Sequence, residues 1–251
     1  MTAEIQWNGR LWEVDLGNPL SIGLPIVNGA DNPNCYFSDQ VKITPIIQGD
    51  FSGSLALGGP VNHMTISLSP HGNGTHTECS GHVINNGHTM KSVGKIAPVY
   101  AQLISVQPIE YNDDLIISRE SLLTIDLQNN ISAIILRTIP NSIEKLTKNY
   151  SGSNPVYMTI EAVEYLVEKE ILHLILDIPS VDREDDGGKL SGHKVFWGNS
   201  EREKGATITV LAFIEDRIKD GIYLLDLQTL LLELDVSPSN PVLYSLNTIT
   251  N

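Results

Sequence analysis

Cysteine is scarce in this chain: only Cys35 and Cys79 occur among 251 residues. Two thiols do not make a disulfide framework, and they fit a reducing compartment. Clustered positive charge is also missing. No run of five Lys/Arg residues occurs, and 16 basic residues stand against 30 acidic ones, a net charge of −14. Phosphate neutralisation needs a basic face, so no nucleic-acid partner is expected. No apolar run approaches the ~18 residues of a spanning helix. Residues 1–10 lack a cationic stretch leading into an apolar one. Neither a membrane segment nor a signal peptide is expected, and cytoplasmic location follows as an expectation. Without a secretion signal, the glycosylation-like triplets at Asn73, Asn130 and Asn149 are chance matches.

What remains is an ordinary globular composition, 41% hydrophobic and 18% charged. The length is ample for a sizeable core. Short apolar or alternating segments at residues 11–16, 41–47, 65–69 and 101–106 read as strands. The middle adds a short helix over 118–125 and a continuous apolar run at 132–137, which suits a buried strand. Residues 160–169 carry the best helix pattern: Thr159 can cap it, and Ile160, Val163, Leu166 and Val167 share one face. A second buried strand follows at 172–178, so a crossover joining parallel strands is expected. Late strands are expected over 208–214 and 223–234, with a turn at Lys219-Asp220-Gly221 between them. No repeat or linker interrupts this pattern. It reads as one mixed, β-rich α/β domain covering residues 1–251.

Chemistry concentrates in His71-Gly72-Asn73-Gly74-Thr75-His76-Thr77-Glu78-Cys79-Ser80-Gly81-His82, which holds three of the seven histidines and a carboxylate. If the segment runs extended, His76, Glu78 and His82 project from one face. Two imidazoles and a carboxylate there suit a first-row metal site or an acid/base cluster. A hydrogen-bonded structural cluster is the plainer alternative. His71 has the other parity, but a turn through Gly72 and Gly74 can bring it to the same point. Cys79 should face away as a small buried hydrophobe. A second candidate is Asp177-Ile178-Pro179-Ser180-Val181-Asp182, at the end of a buried strand. There, loops of parallel strands often bind ligands. The polar loop continues to His193 and carries Asp185-Asp186-Gly187, which lacks EF-hand spacing. His63, His88 and His173 have no acidic or His partner at a ligand spacing and read as structural or surface residues.

These segments together resemble the cyclase-family metal-dependent hydrolases, which include bacterial kynurenine formamidase. Gly74-Thr75-His76-Thr77-Glu78-Cys79-Ser80-Gly81-His82 is similar to that family's Gly-Thr-His-x-Asp core and the His that follows. Asp15-Leu16-Gly17-Asn18-Pro19-Leu20 is similar to its opening Asp-Leu-Ser-x-Pro-Leu. Ile134-Ile135-Leu136-Arg137-Thr138 resembles a Leu-Leu-Arg-Thr strand, and Asp177–Asp182 an Asp-x-x-Ser-Val-Asp loop. Ser237-Pro238 matches a terminal Ser-Pro.

The resemblance implies a swivelling β/β/α-type fold and a divalent metal, zinc or manganese. It implies His71, His76, Glu78 and His193 as ligands and His82 as general base. It also implies hydrolysis of a small non-peptide amide, lactam or ester, arylformamidase-like, by a metal-activated water. Trp12, Ser180 and Asp182 are the substrate-contact candidates, and Tyr36 or Trp197 would add aromatic lining. A small-molecule substrate and a homo-oligomer are the implied partners. The chain departs from the family at three places. Gly72 stands where the family's leading His lies, with His71 one residue earlier. Glu78 replaces Asp. Val210 or Leu211 stands where a late metal-binding Glu belongs, and Glu215 is the nearest acid. These departures leave two further readings: a catalytically degraded relative that binds small molecules, and a metal-dependent cyclase.

Overall fold

The computed structural model describes residues 1–198 and 202–249. The strands Val236–Thr248, Gly221–Thr229, Val99–Val106, Ala133–Thr138, His173–Leu176, Thr207–Val210 and His76–Glu78 neighbour one another in that order. Val236–Thr248 then pairs again with His76–Glu78, which closes the seven into a barrel. Val99–Val106, Ala133–Thr138, His173–Leu176 and Thr207–Val210 run parallel, as the strand–helix–strand pattern requires. The other pairings are antiparallel. All six residues of Ala133–Thr138 are buried, as expected for an apolar run covered on both faces. Alternation sorts them: Ala133 and Ile135 pack with Leu103, Ile175, Leu225 and Leu243. Ile134 and Leu136 face outward with Leu174, Leu176, Ile208 and Val210. The helices Ile160–Glu168 and Ser191–Trp197 cover that outer face through Val163, Leu166, Phe196 and Trp197. The result is the mixed, strand-rich α/β fold with few helices that the sequence predicts.

Several boundaries differ for physical reasons. Thr159 caps Ile160–Glu168, its side chain accepting from the Ala162 amide, yet Ile160 itself lies exposed at the first turn. The helix expected over 118–125 is limited to Arg119–Leu123. The strand expected over 208–214 stops at Val210 because Leu211 takes a left-handed φ of 54°. The strand expected over 223–234 is Gly221–Thr229. The 13-residue strand Val236–Thr248 follows it, in a segment for which no strand is expected from the sequence. The prolines are accommodated where the strand exchanges partners: Pro238 lies opposite His76 and Pro241 opposite Leu227. Among the described residues no helix is long and apolar enough to cross a membrane.

Candidate metal centre

The short strand His76–Glu78 closes the barrel, with Glu78 opposite both Ile208 and Val236. Its even residues share the helix-covered face with Ile208 and Val210. Thr77 points the other way and meets Thr209, hydroxyl to hydroxyl at 2.8 Å. The expected common face therefore holds for His76 and Glu78. It does not carry His82, because a 3-10 turn, Ser80–His82, follows the strand. That turn folds the chain back and brings His82 Nε2 to 3.8 Å from Glu78 Oε1. Only glycine fits at Gly81, where a Cβ would lie 2.0 Å from the His88 carbonyl oxygen.

His71 reaches the same point by the expected turn. The amides of Gly72 and Asn73 both donate to the Ser69 carbonyl, and Gly74 takes a φ of +85°. His71 Nε2 then lies 3.9 Å from Glu78 Oε1. The absence of a histidine at position 72 has a steric cause. A Cβ on Gly72 would sit 1.9 Å from the Ser38 hydroxyl and 2.4 Å from its Cβ.

His193 comes from the helix Ser191–Trp197 and places Nε2 3.4 Å from Glu78 Oε2. Asp182 holds it from behind: Oδ2 accepts from His193 Nδ1 at 2.6 Å, and Oδ1 accepts from the Gly192 amide at 2.6 Å. Asp182 thus corrects an expectation. It orients a histidine, and its carboxylate is spent on that helix. Ser180 does line the cleft, together with Tyr36, whose hydroxyl donates to the Pro179 carbonyl. Trp197 lies buried behind His193, ring centroids 5.8 Å apart, and donates Nε1–H to the Ala206 carbonyl. Trp12 is a second correction. It sits on Arg10–Asp15, packed on Trp7 at 5.9 Å with Nε1 donating to the Trp7 carbonyl, and takes no part in lining the cleft. Glu215 is a third, its exposed carboxylate pairing with Arg217 at 2.6 Å. The strand beside the site, Thr-Ile-Thr-Val at 207–210, carries no acid, and Val210 occupies the position opposite His76.

Hydrogen bonding fixes which imidazole nitrogens face inward. The Gly74 carbonyl can only accept, so His76 Nδ1, 2.9 Å away, carries the proton and Nε2 presents a lone pair. That Nε2 is buried with no hydrogen-bond partner, 3.4 Å from Glu78 Oε1. His193 is set the same way by Asp182. Glu78 Oε2 is likewise buried without a hydrogen-bond partner. Inward lone pairs gathered about a carboxylate repel unless a cation or extra protons lie among them. The spacing suits a cation: a tetrahedral metal holding donors at about 2.0–2.1 Å keeps them about 3.4 Å apart. His71, Glu78 and His82 also offer ligand atoms within 4.8 Å of one another. The residues therefore fit the divalent metal that the sequence implies. Titration shifts agree with shared charge. Burial alone would push Glu78 up, but the imidazoles of His82, His193 and His76 around it hold it well below the carboxylate range. Without a cation an extra proton takes that place on His193: burial works against its charging, but the bond to Asp182 and the nearby Glu78 carboxylate outweigh that, lifting it to about 9.

One site residue is absent from the sequence reading. Asp235, just ahead of Val236–Thr248, aims Oδ2 at both His71 Nε2 and His82 Nδ1, each at 2.9 Å. The only sequence signal is its place two residues before Ser237-Pro238. Hydrogen bonds from His71 and His82 hold its carboxyl well below the usual range.

The histidines open into a cleft of about 310 Å³, bordered by Tyr36, Pro179, Ser180 and the loop through Gly188. A larger cleft of about 560 Å³ lies nearby among Ile109, Tyr111, Tyr157 and Ile160, but no histidine lines it. Donor chemistry, not size, locates the site in the smaller one.

Comparison with solved structures agrees with this architecture. An isatin hydrolase bound to the product analogue thioisatinate superposes with a TM-score of 0.65 at 15% identity, over 92% of this chain and 94% of that one. A predicted metal-dependent hydrolase from Bacillus stearothermophilus gives 0.62 at 18% identity, over 90% and 98%. Isatin hydrolase A from Labrenzia aggregata gives 0.62 at 13% identity, over 91% and 94%. No curated protein sequence matches the chain. The family model described as "Putative cyclase" matches residues 14–183, more than half of the chain, and the chain belongs to that cyclase family.

Proposed function

We propose that this protein is a metal-dependent hydrolase of a small non-peptide amide, lactam or ester. The observation that carries the reading is the convergence of His76 Nε2 and His193 Nε2 on the buried carboxylate of Glu78, each imidazole pinned from behind. His76, Glu78 and His193 would hold the cation, zinc or manganese, and His71 would join them only if its Nε2 gives up the proton it shares with Asp235. When bound, the cation supplies Lewis acidity toward a carbonyl and lowers the pKa of water.

The other steps belong to the chain. His82 presents Nε2 beside Glu78 as general base. It takes a proton from the attacking water and returns it to the leaving nitrogen or oxygen. Tyr36, Pro179 and Ser180 border a cleft small enough to restrict substrates to about the size of a single or fused ring. The isatin-hydrolase and metal-dependent-hydrolase neighbours support this class. Arylformamides are one member of it.

A homo-oligomer belongs to the same reading. The ribbon pairing Lys42–Pro45 with Met64–Ser67, together with the segment it encloses, leaves Ile47, Leu55, Leu57, Val61 and Ile66 exposed. Val210 opposite His76 favours a rival reading, a relative that binds its ligand without turnover.

Metal content per chain, followed by turnover on a panel of formanilides, isatins and lactones, tests the proposal. About one zinc or manganese per chain, with ring-opened or deformylated product, is expected. Metal-free protein after reconstitution would overturn it, as would metal binding without any turnover.

A further inference from the structure

We propose that Asp235 is the positioning residue of the general base, which deepens the hydrolase reading and rests on it. His82 has two ring nitrogens, and only an unprotonated Nε2 facing Glu78 can accept a proton inside the cleft. Asp235 selects that form. Its Oδ2 lies 2.9 Å from His82 Nδ1, and a carboxylate can only accept, so the proton is held on Nδ1 and the lone pair on Nε2. The same oxygen lies 2.9 Å from His71 Nε2 and holds that ring in the opposite tautomer. The two rings stack, centroids 4.7 Å apart at 27°, so neither can turn without displacing the other.

The barrel closure delivers this carboxylate. Glu78 lies between Ile208 on one neighbouring strand and Val236 on the other, and the Ile208 strand carries no acid. The carboxylate instead comes from the Val236 side. The Cys79 amide donates to the Asp235 carbonyl at 2.9 Å, which fixes the Asp235 backbone beside the turn that carries His82. Asp235 is half-buried, as are His71 and His82, so this triad forms the rim of the cleft next to the deeper His76–Glu78–His193 set.

The decisive measurement is the nitrogen-15 tautomer pattern of the histidine rings, read by long-range proton–nitrogen correlation in metal-free protein. His82 protonated on Nδ1 and His71 protonated on Nε2 are expected. Asp235→Asn, nearly isosteric, should lose the single Nδ1 form of His82. It should bind zinc or manganese within about threefold of the parent, and lower kcat by about 100-fold or more with KM little changed. A His82 ring protonated on Nε2 in the parent protein would overturn the inference. So would an Asp235→Asn variant with unchanged tautomer and kcat. Loss of metal as severe as in His76→Ala would also overturn it, because Asp235 would then be a ligand. Failure of the parent to bind metal or turn over would sink the hydrolase reading alone, and the tautomer pattern would still decide the role of Asp235.

Discussion

Replacing Asp182 by Asn tests whether His193 is held for metal binding. Three N–H groups end on this carboxylate: the Gly192 amide at 2.6 Å, the His193 amide at 3.1 Å and His193 Nδ1 at 2.6 Å. The helix Ser191–Trp197 has no other side-chain cap, since Leu190 precedes it. Gly192 lets the carboxylate approach, because a Cβ there would lie 2.9 Å from Oδ1. Asparagine offers one oxygen and one NH₂ to these three donors, so at least one N–H faces another donor. Hydrogen bonds to charged groups contribute about 1.5–3 kcal/mol each. Losing one and weakening another costs about 3 kcal/mol, which lowers the melting temperature by about 6–12 °C for a chain of this size. Metal affinity should fall about 10–100-fold, because the carboxylate no longer fixes the Nδ1–H tautomer that leaves Nε2 facing Glu78. Calorimetric titration with zinc and manganese, alongside melts of the metal-free variant, reads both quantities. Affinity within about threefold of the parent, together with a lowered melting temperature, would refute the reasoning. Asp182 would then be a helix cap and His193 no ligand.

Zinc at about 100 times its Kd should contribute about 2.7 kcal/mol and raise the melting temperature by about 5–11 °C. His76→Ala should abolish that rise in a thermal melt, and a rise that persists would remove His76 from the ligand set. His173, buried against Thr207, has its imidazole pushed down from 6.5 to about 4 by burial and then by the charge of Arg202. The unfolded chain therefore binds this proton first as pH falls. The stability is complete above about 6.5, and about 3 kcal/mol is lost on the way to pH 4. Denaturant unfolding of His173→Gln across that window should show a flatter dependence, and an unchanged slope would count against it. Lys145 Nζ lies 2.7 Å from the buried carboxylate of Asp177, which also accepts from the Thr138 amide. Lys145→Met leaves that charge unpaired and should cost about 3–5 kcal/mol by chemical denaturation.

Much of the fold was legible because its signals are local. The apolar run at 132–137 can be satisfied only by burial on both faces, and Thr159 marks the start of a helix whatever packs against it. Two features were not legible because tertiary contacts decide them. Pro238 and Pro241 end most strands, yet here they sit in the longest one, where exchange of partners relieves the missing amides. Trp12, a substrate-contact candidate by resemblance, sits instead on a strand paired on both sides, by Thr2–Trp7 and Val236–Thr248, which carries it into the Trp7–Tyr100 aromatic cluster.

By itself the sequence determined the inner pair of the site. His76 and Glu78 are two residues apart on a strand, and period-two geometry places them on one face in any tertiary context. It also determined that His82 and His71 flank them at distances a turn can close. Only the tertiary structure decided the rest. Barrel closure brings Asp235 to His82 across 153 positions of chain, and Asp182 turns the His193 ring toward Glu78. The Ser38 side chain excludes any residue larger than glycine at position 72, and so makes His71 the histidine that flanks the site. Which nitrogen of each imidazole faces the cleft depends on an acceptor behind the ring. For His82 and His193 that acceptor is a side chain from elsewhere in the chain, and no spacing rule can see it.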